Sequence, residues 1–152
     1  MIAVAAILAG LGSGNSDAAE HSPRTNYLEH CGGCHGIDGR SAPRLVPDLK
    51  NRAGYFLCTR EGREYVAQLP NVALVSIGNS ELAALLNFVS FELGASSAPR
   101  GARRYTASEV AQMRRQPITS VDLIGYRRLV VRQLIASCGA PTVLASEYGP
   151  GP

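Results

Sequence analysis

The chain has 152 residues, enough for one domain with a real core and a short appendage but not for two full domains. Its formal charge of +3 makes no case for nucleic acid. With few aromatics and no Trp, the core must rest on Leu, Val, Ala and Ile, and a bound hydrophobic cofactor would enlarge it considerably. The charge is uneven: residues 1–99 hold seven Lys/Arg against nine Asp/Glu, and residues 100–152 hold eight Arg against three acids. A basic C-terminal third either attracts acidic partners over long range or forms a solvated Arg-rich helix face.

Residues 1–19 read as a signal peptide or an N-terminal anchor. The apolar run from Ile2 to Leu11 is too short to span a bilayer but suits an h-region, and small residues at Ser16 to Ala19 offer a cleavage site. No Lys or Arg precedes the run, which departs from the usual pattern. The expected location is the periplasm, with membrane attachment only if the leader is retained. Export would place the four cysteines in an oxidising compartment.

Ser22 then caps a helix with Pro23 at its first position, running through Tyr27 and Leu28 into "HCGGCHG" and ending at Gly36 and Gly39. A Gly-, Pro- and Arg-rich loop follows to about Leu57. Residues 59–69 predict a short helix stopped by Pro70, and "NVALVSIGN" is ambiguous between strand and packed loop. Asn79 or Ser80 opens a helix in which Leu82, Leu85, Leu86, Val89 and Leu93 recur at helical spacing, with Gly94 at its end. Residues 96–104 read as a linker. Thr106 and Glu109 form a capping-box pattern for a helix that Pro117 would end, and Thr119 or Ser120 opens a last helix to about Ser137. Residues 139–152 read as a flexible tail. The expected fold is all-α, with C-terminal helices over 105–138.

C-x-x-C-H at Cys31, Cys34 and His35 is the attachment signature of c-type haem. Two cysteines three positions apart on a helical turn can reach two vinyl groups on one porphyrin edge and form thioethers. The next residue can then place a neutral imidazole nitrogen on iron. A redox dithiol would need a neighbouring strand and a βαβ context, and zinc would need two further ligands at finger spacing. Neither is present, since His21, His30, Cys58 and Cys138 are scattered.

With this motif, the "VPDL" loop at 46–49 and the helix "SELAALLNFVSFEL", residues 22–94 resemble the class I c-type cytochromes. The resemblance implies a cytochrome c-like helical domain over 20–95 around one covalent haem c. It implies that the Pro47 carbonyl accepts a hydrogen bond from the second nitrogen of His35, that Leu49 packs on the haem, and that the first and last helices of the domain cross. A loop methionine usually supplies the sixth ligand in that family, and "YVAQLPNVALVSIG" has none. Met113 is the candidate sixth ligand if the C-terminal extension folds back; otherwise it fills a gap beside Val110. Cys58 either binds iron, packs as a small buried residue, or pairs with Cys138; or the sixth position stays open. Arg40, Arg44, Arg52 and Arg63 are candidates to neutralise haem propionates. Tyr55, Phe56, Tyr65, Phe88 and Phe91 serve either the haem pocket or the ordinary core.

The resulting expectation is a periplasmic electron carrier, not an enzyme in itself, that meets an acidic dehydrogenase or terminal reductase or oxidase, or serves as the haem subunit of such a complex. The alternative is a five-coordinate haem protein that binds a small gas or has peroxidase-like activity, with Gln68 or Tyr65 as its polar group.

Overall fold

The computed structural model describes residues 21–41 and 46–147. The expected leader, Arg44 and residues 148–152 lie outside the described residues. Those described form helices and loops with no strand among them, so the chain is all-α as expected, consistent with a cytochrome c-like arrangement. None of the described helices is long and apolar enough to cross a membrane.

Helix α1 spans Pro23–His30, and the Ser22 hydroxyl accepts from the Thr25 amide at 3.1 Å, as the sequence predicts. The helix does not run on through the cysteines. Cys31 leaves helical geometry (φ −128°), a single turn α2 follows over Gly32–His35, and Gly36 at φ +75° stops it. A 3-10 turn at Ala53–Cys58 leads into α3, Arg60–Gln68, capped by Thr59. The ambiguous stretch resolves into one turn, α4 at Pro70–Ala73, and a loop.

Helix α5 spans Asn79–Asn87 and widens into a π turn over Phe88–Leu93. Its cap differs from expectation. Gly78 is the capping residue, and the Glu81 carboxylate reaches back to its amide at 3.0 Å, so neither Asn79 nor Ser80 is needed. Gly94 ends the π turn at an ordinary φ of −63°; a side chain there would collide with the Ser90 carbonyl and the Gly54 amide.

Helix α6 spans Ala107–Met113, and α7 spans Leu123–Cys138. Only half of the capping box forms. Thr106 accepts from the Glu109 amide, but the Glu109 carboxylate binds Arg63 instead of returning to the cap. Asp122, rather than Thr119 or Ser120, caps α7, and Gly139 closes it in the left-handed region.

Two apolar clusters result. The first gathers Tyr27, Leu82, Leu85, Leu86, Phe88 and Val89 with Tyr105 and Val110 from the extension. The second joins Phe56 and Tyr65 to Val130, Val131, Leu134 and Leu144. Residues 105–147 therefore pack on the helices that precede them through both clusters and through buried polar groups. The Asn87 side chain exchanges two hydrogen bonds with the backbone of Tyr105. The Arg63 guanidinium, 8% exposed, grips both oxygens of Glu109, donates to the Arg103 carbonyl at 2.7 Å and lies 4.2 Å from the Tyr105 ring centre.

Two expectations are corrected. The stretch 96–104 is no free linker: buried Ser97 accepts from the Gly54 amide, and Arg103 is held by Arg63. The tail over 139–147 is no mobile segment: Leu144 is fully buried, and Glu147 pairs with both Arg52 and Arg127. Cys58 and Cys138 form a disulfide across 80 residues of sequence, which bolts the end of α7 to the turn before α3. Closing a loop of that length restricts the unfolded chain, so Cys138→Ser should lower the urea unfolding free energy by about 2–4 kcal/mol.

Candidate functional site

The loop beside the motif is built around Gly39. At φ +82° its carbonyl accepts from both the Leu49 and Lys50 amides, at 2.8 and 2.9 Å. Ser41 then grips the returning strand of the loop: its hydroxyl donates to the Val46 carbonyl, and its amide donates to Asp48. Pro47 is thereby fixed, and its carbonyl lies 2.9 Å from His35 Nδ1. A carbonyl accepts only, so Nδ1 carries the proton and Nε2 keeps the lone pair suited to a metal. Burial lowers the His35 pKa despite the opposing Pro47 carbonyl and Asp48, which keeps the ring neutral.

The motif is braced from beneath by Tyr27. Its hydroxyl donates to the Gly36 carbonyl, and its ring packs 5.7 Å from Phe88 on the last domain helix. Burial, and then Cys31, push the hydroxyl up to about 12, so it stays a donor. Cys31 and Cys34 are free thiols. Burial, and then Cys34, push the Cys31 thiol up to about 11, while Cys34 is exposed.

Cys31, Cys34 and His35 open together onto a cleft of about 190 Å3, part of it open to solvent. Val46 and Leu49 come from the Pro47 loop. Val66 and Leu69 come from α3, Asn71 and Val72 from α4, Val75 from the loop after it, and Leu82, Leu85, Leu86 and Val89 from the last domain helix. The walls are thus apolar apart from the motif, His30 and Asn71. Two free thiols, a neutral imidazole and apolar walls are a donor set and lining that would suit haem c, held by Cys31, Cys34 and His35.

The structure does not bring every candidate to the cleft. Met113 packs against the first apolar cluster and lines a polar groove with Gln68, Glu109 and Gln112, outside the cleft lining. Cys58 is consumed by Cys138. None of the five candidate aromatics lines the cleft, and Tyr65 stacks on Phe56 and Tyr126 in the second cluster. Arg52 and Arg63 are committed to Glu147 and Glu109, while Arg40 is exposed.

Sequence reasoning missed Asn71 and Arg114. The Arg114 guanidinium donates to the Ala73 carbonyl at 2.9 Å, to Val75 at 2.5 Å, to Ile77 at 2.9 Å and to Asn79 Oδ1 at 3.2 Å. It fixes from outside the segment that supplies Val72 and Val75 to the cleft. Only the planar fork of an arginine can serve so many acceptors, but an isolated "RR" in sequence gives no sign of it.

No protein-family model matches the chain. The chain is similar to a cytochrome c-552 of Thermus thermophilus, at 24% identity over 140 residues covering 80% of this chain and 90% of that protein. A second cytochrome c-552 of Thermus thermophilus is 24% identical over 116 residues, covering 64% of this chain and 88% of its own length. The first alignment spans more of this chain than the expected haem domain alone, so the likeness reaches into the C-terminal extension.

Replacing Arg114 by Gln removes charge-assisted bonds to three carbonyls of an irregular segment. Arg114→Gln should cost about 2–3 kcal/mol in urea unfolding and speed proteolytic cutting within 73–78 in the native state.

Proposed function

We propose that the protein is a mono-haem c-type cytochrome that carries electrons in the periplasm. The observation that carries this reading is the His35–Pro47 hydrogen bond beside two free thiols at the mouth of an apolar cleft. The likeness to two cytochromes c-552 supports it. Haem c in the cleft would supply a one-electron Fe(III)/Fe(II) couple.

The chain's own part is to hold and tune that group. Cys31 and Cys34 would hold the group covalently through their thiols, and His35 would offer it Nε2. The Pro47 carbonyl orients the imidazole and raises its basicity through Nδ1. Leu49 and the valines and leucines of the cleft exclude water, which favours the less charged state of the couple. Gly36 and Gly39 allow the Pro47 loop to close over the motif.

Arg100, Arg103, Arg104, Arg115 and Arg132 of the extension are all exposed, with Arg104 lying over the Phe91 ring. This exposed positive charge suits a redox partner with an acidic docking face, a dehydrogenase or a terminal reductase or oxidase, and would speed encounter more than tighten binding.

Co-expression with haem-maturation machinery should give a coloured protein whose denatured mass exceeds the polypeptide by one haem. The double variant Cys31→Ala, Cys34→Ala should show the polypeptide mass alone. A colourless wild type with two freely titrating thiols would sink the reading in favour of a dithiol redox protein.

A further inference from the structure

We propose that the part of the cleft walled by α3 and residues 71–75 is a binding site for a neutral diatomic gas, with Asn71 as its polar contact and Arg114 as the group that holds its wall. The inference rests on the haem reading above.

Side chains that bind haem iron strongly are imidazoles, thiolates, thioethers and phenolates. The residues lining the cleft from α3, α4, the loop after it and the last domain helix include none of these. The candidates elsewhere do not line the cleft among the described residues, exposed His21 beside Glu29 included. Met113 sits among Gln68, Glu109 and Gln112, Cys58 is bonded to Cys138, and the Tyr105 hydroxyl donates to the Arg63 carbonyl. His30 lines the cleft, but it is covalently next to Cys31 and is carried with the attached edge of the ring. An internal ligand is therefore not supplied by these walls.

The walls also choose the class of external ligand. Val66, Leu69, Val72 and Val75 would strip an anion of its hydration with no charged side chain beside them in compensation, among the described residues. A neutral diatomic gives up little hydration there. The Asn71 amide, exposed at the second position of α4, makes no hydrogen bond among the described residues and remains available as a donor. An amide cannot take up or release a proton at neutral pH, so these walls do not equip the site to cleave peroxide, which needs a group that moves protons. Binding is favoured over peroxidase turnover. The site is also preformed, because Arg114 holds the carbonyls of Ala73, Val75 and Ile77 whatever occupies the cleft.

The test uses the matured holoprotein and carbon monoxide as the probe. Intact mass and the ferrous absorption spectrum first establish covalent haem; if haem is not attached, the parent reading fails, not this one. With haem in place, carbon monoxide should bind the ferrous protein rapidly and shift its absorption bands. Asn71→Leu should keep that binding but move the carbon–oxygen stretch to higher frequency, as expected on losing a donor to the ligand's outer atom, and Asn71→Gln should restore it in part. Ferrous bands unchanged under saturating carbon monoxide would overturn the proposal, because a side chain would already fill the position. An identical stretch in wild type and Asn71→Leu would overturn the role of Asn71.

Discussion

A segment that borders a cavity without regular structure must find partners for its own carbonyls, and in this protein Arg114 provides them. Residues 73–77 are neither helix nor strand beyond the last residue of α4, yet their carbonyls at 73, 75 and 77 converge on one guanidinium. Unpaired and partly buried, each such group would cost about 1–3 kcal/mol. The segment would then relax into the cleft or out of it. Its position is instead set by a residue at the end of α6, about forty residues further along the chain. The extension is therefore part of the cleft's construction, although it contributes no lining residue among those described.

The second dependence runs through α3. Its inner face gives Val66 and, just past its end, Leu69 to the cleft, its Arg63 anchors Glu109 of α6, and its Tyr65 belongs to the core around α7. The chain leaving α6 returns to it as well, where the Ile118 amide donates to the Gln68 carbonyl at 2.8 Å. A buried guanidinium is costly unless its donors are met, and Arg63 meets them with a bidentate carboxylate, a carbonyl and an aromatic face. Such a pair specifies how α6 seats on α3 more than it adds net stability. Removing one partner strands the other charge, at about 3–5 kcal/mol. The diversion of Glu109 from its own helix cap follows from this: a surface capping bond is worth less than satisfying a buried arginine.

The legible part of the sequence was the part in which local chemistry decides the outcome. Ser22 before Pro23 and the leucine spacing of α5 each act within a few residues, and the structure follows them. The contact of His35 with the Pro47 carbonyl, expected from the resemblance, is present at 2.9 Å. What failed depended on distant partners. Residues 96–104 and 139–147 look loose by composition, but Ser97, Arg103, Leu144 and Glu147 are fixed by groups tens of residues away. Met113 looked available by elimination, and the seating of α6 sends it to the groove beside Gln68. Asn71 gave no signal, because a lone amide after a proline is an ordinary loop feature until its neighbours are known to be Val and Leu.

The cleft is asymmetric in a way that bears on its chemistry. One side holds every strong donor the described lining offers: two thiols, the His35 imidazole and the neighbouring His30. The other sides are Val and Leu with a single amide. A site tuned only for electron carriage gains from two firm axial ligands, since a fixed coordination sphere changes little between oxidation states. A site with one firm ligand and a rigid apolar wall keeps the carrier's potential control from His35 and Pro47 and gains selectivity for small neutral ligands. On the proposed reading, Arg114 would make that second arrangement mechanically feasible, because the wall is held by its own carbonyls. Electron transfer and gas binding would then be successive uses of one cleft.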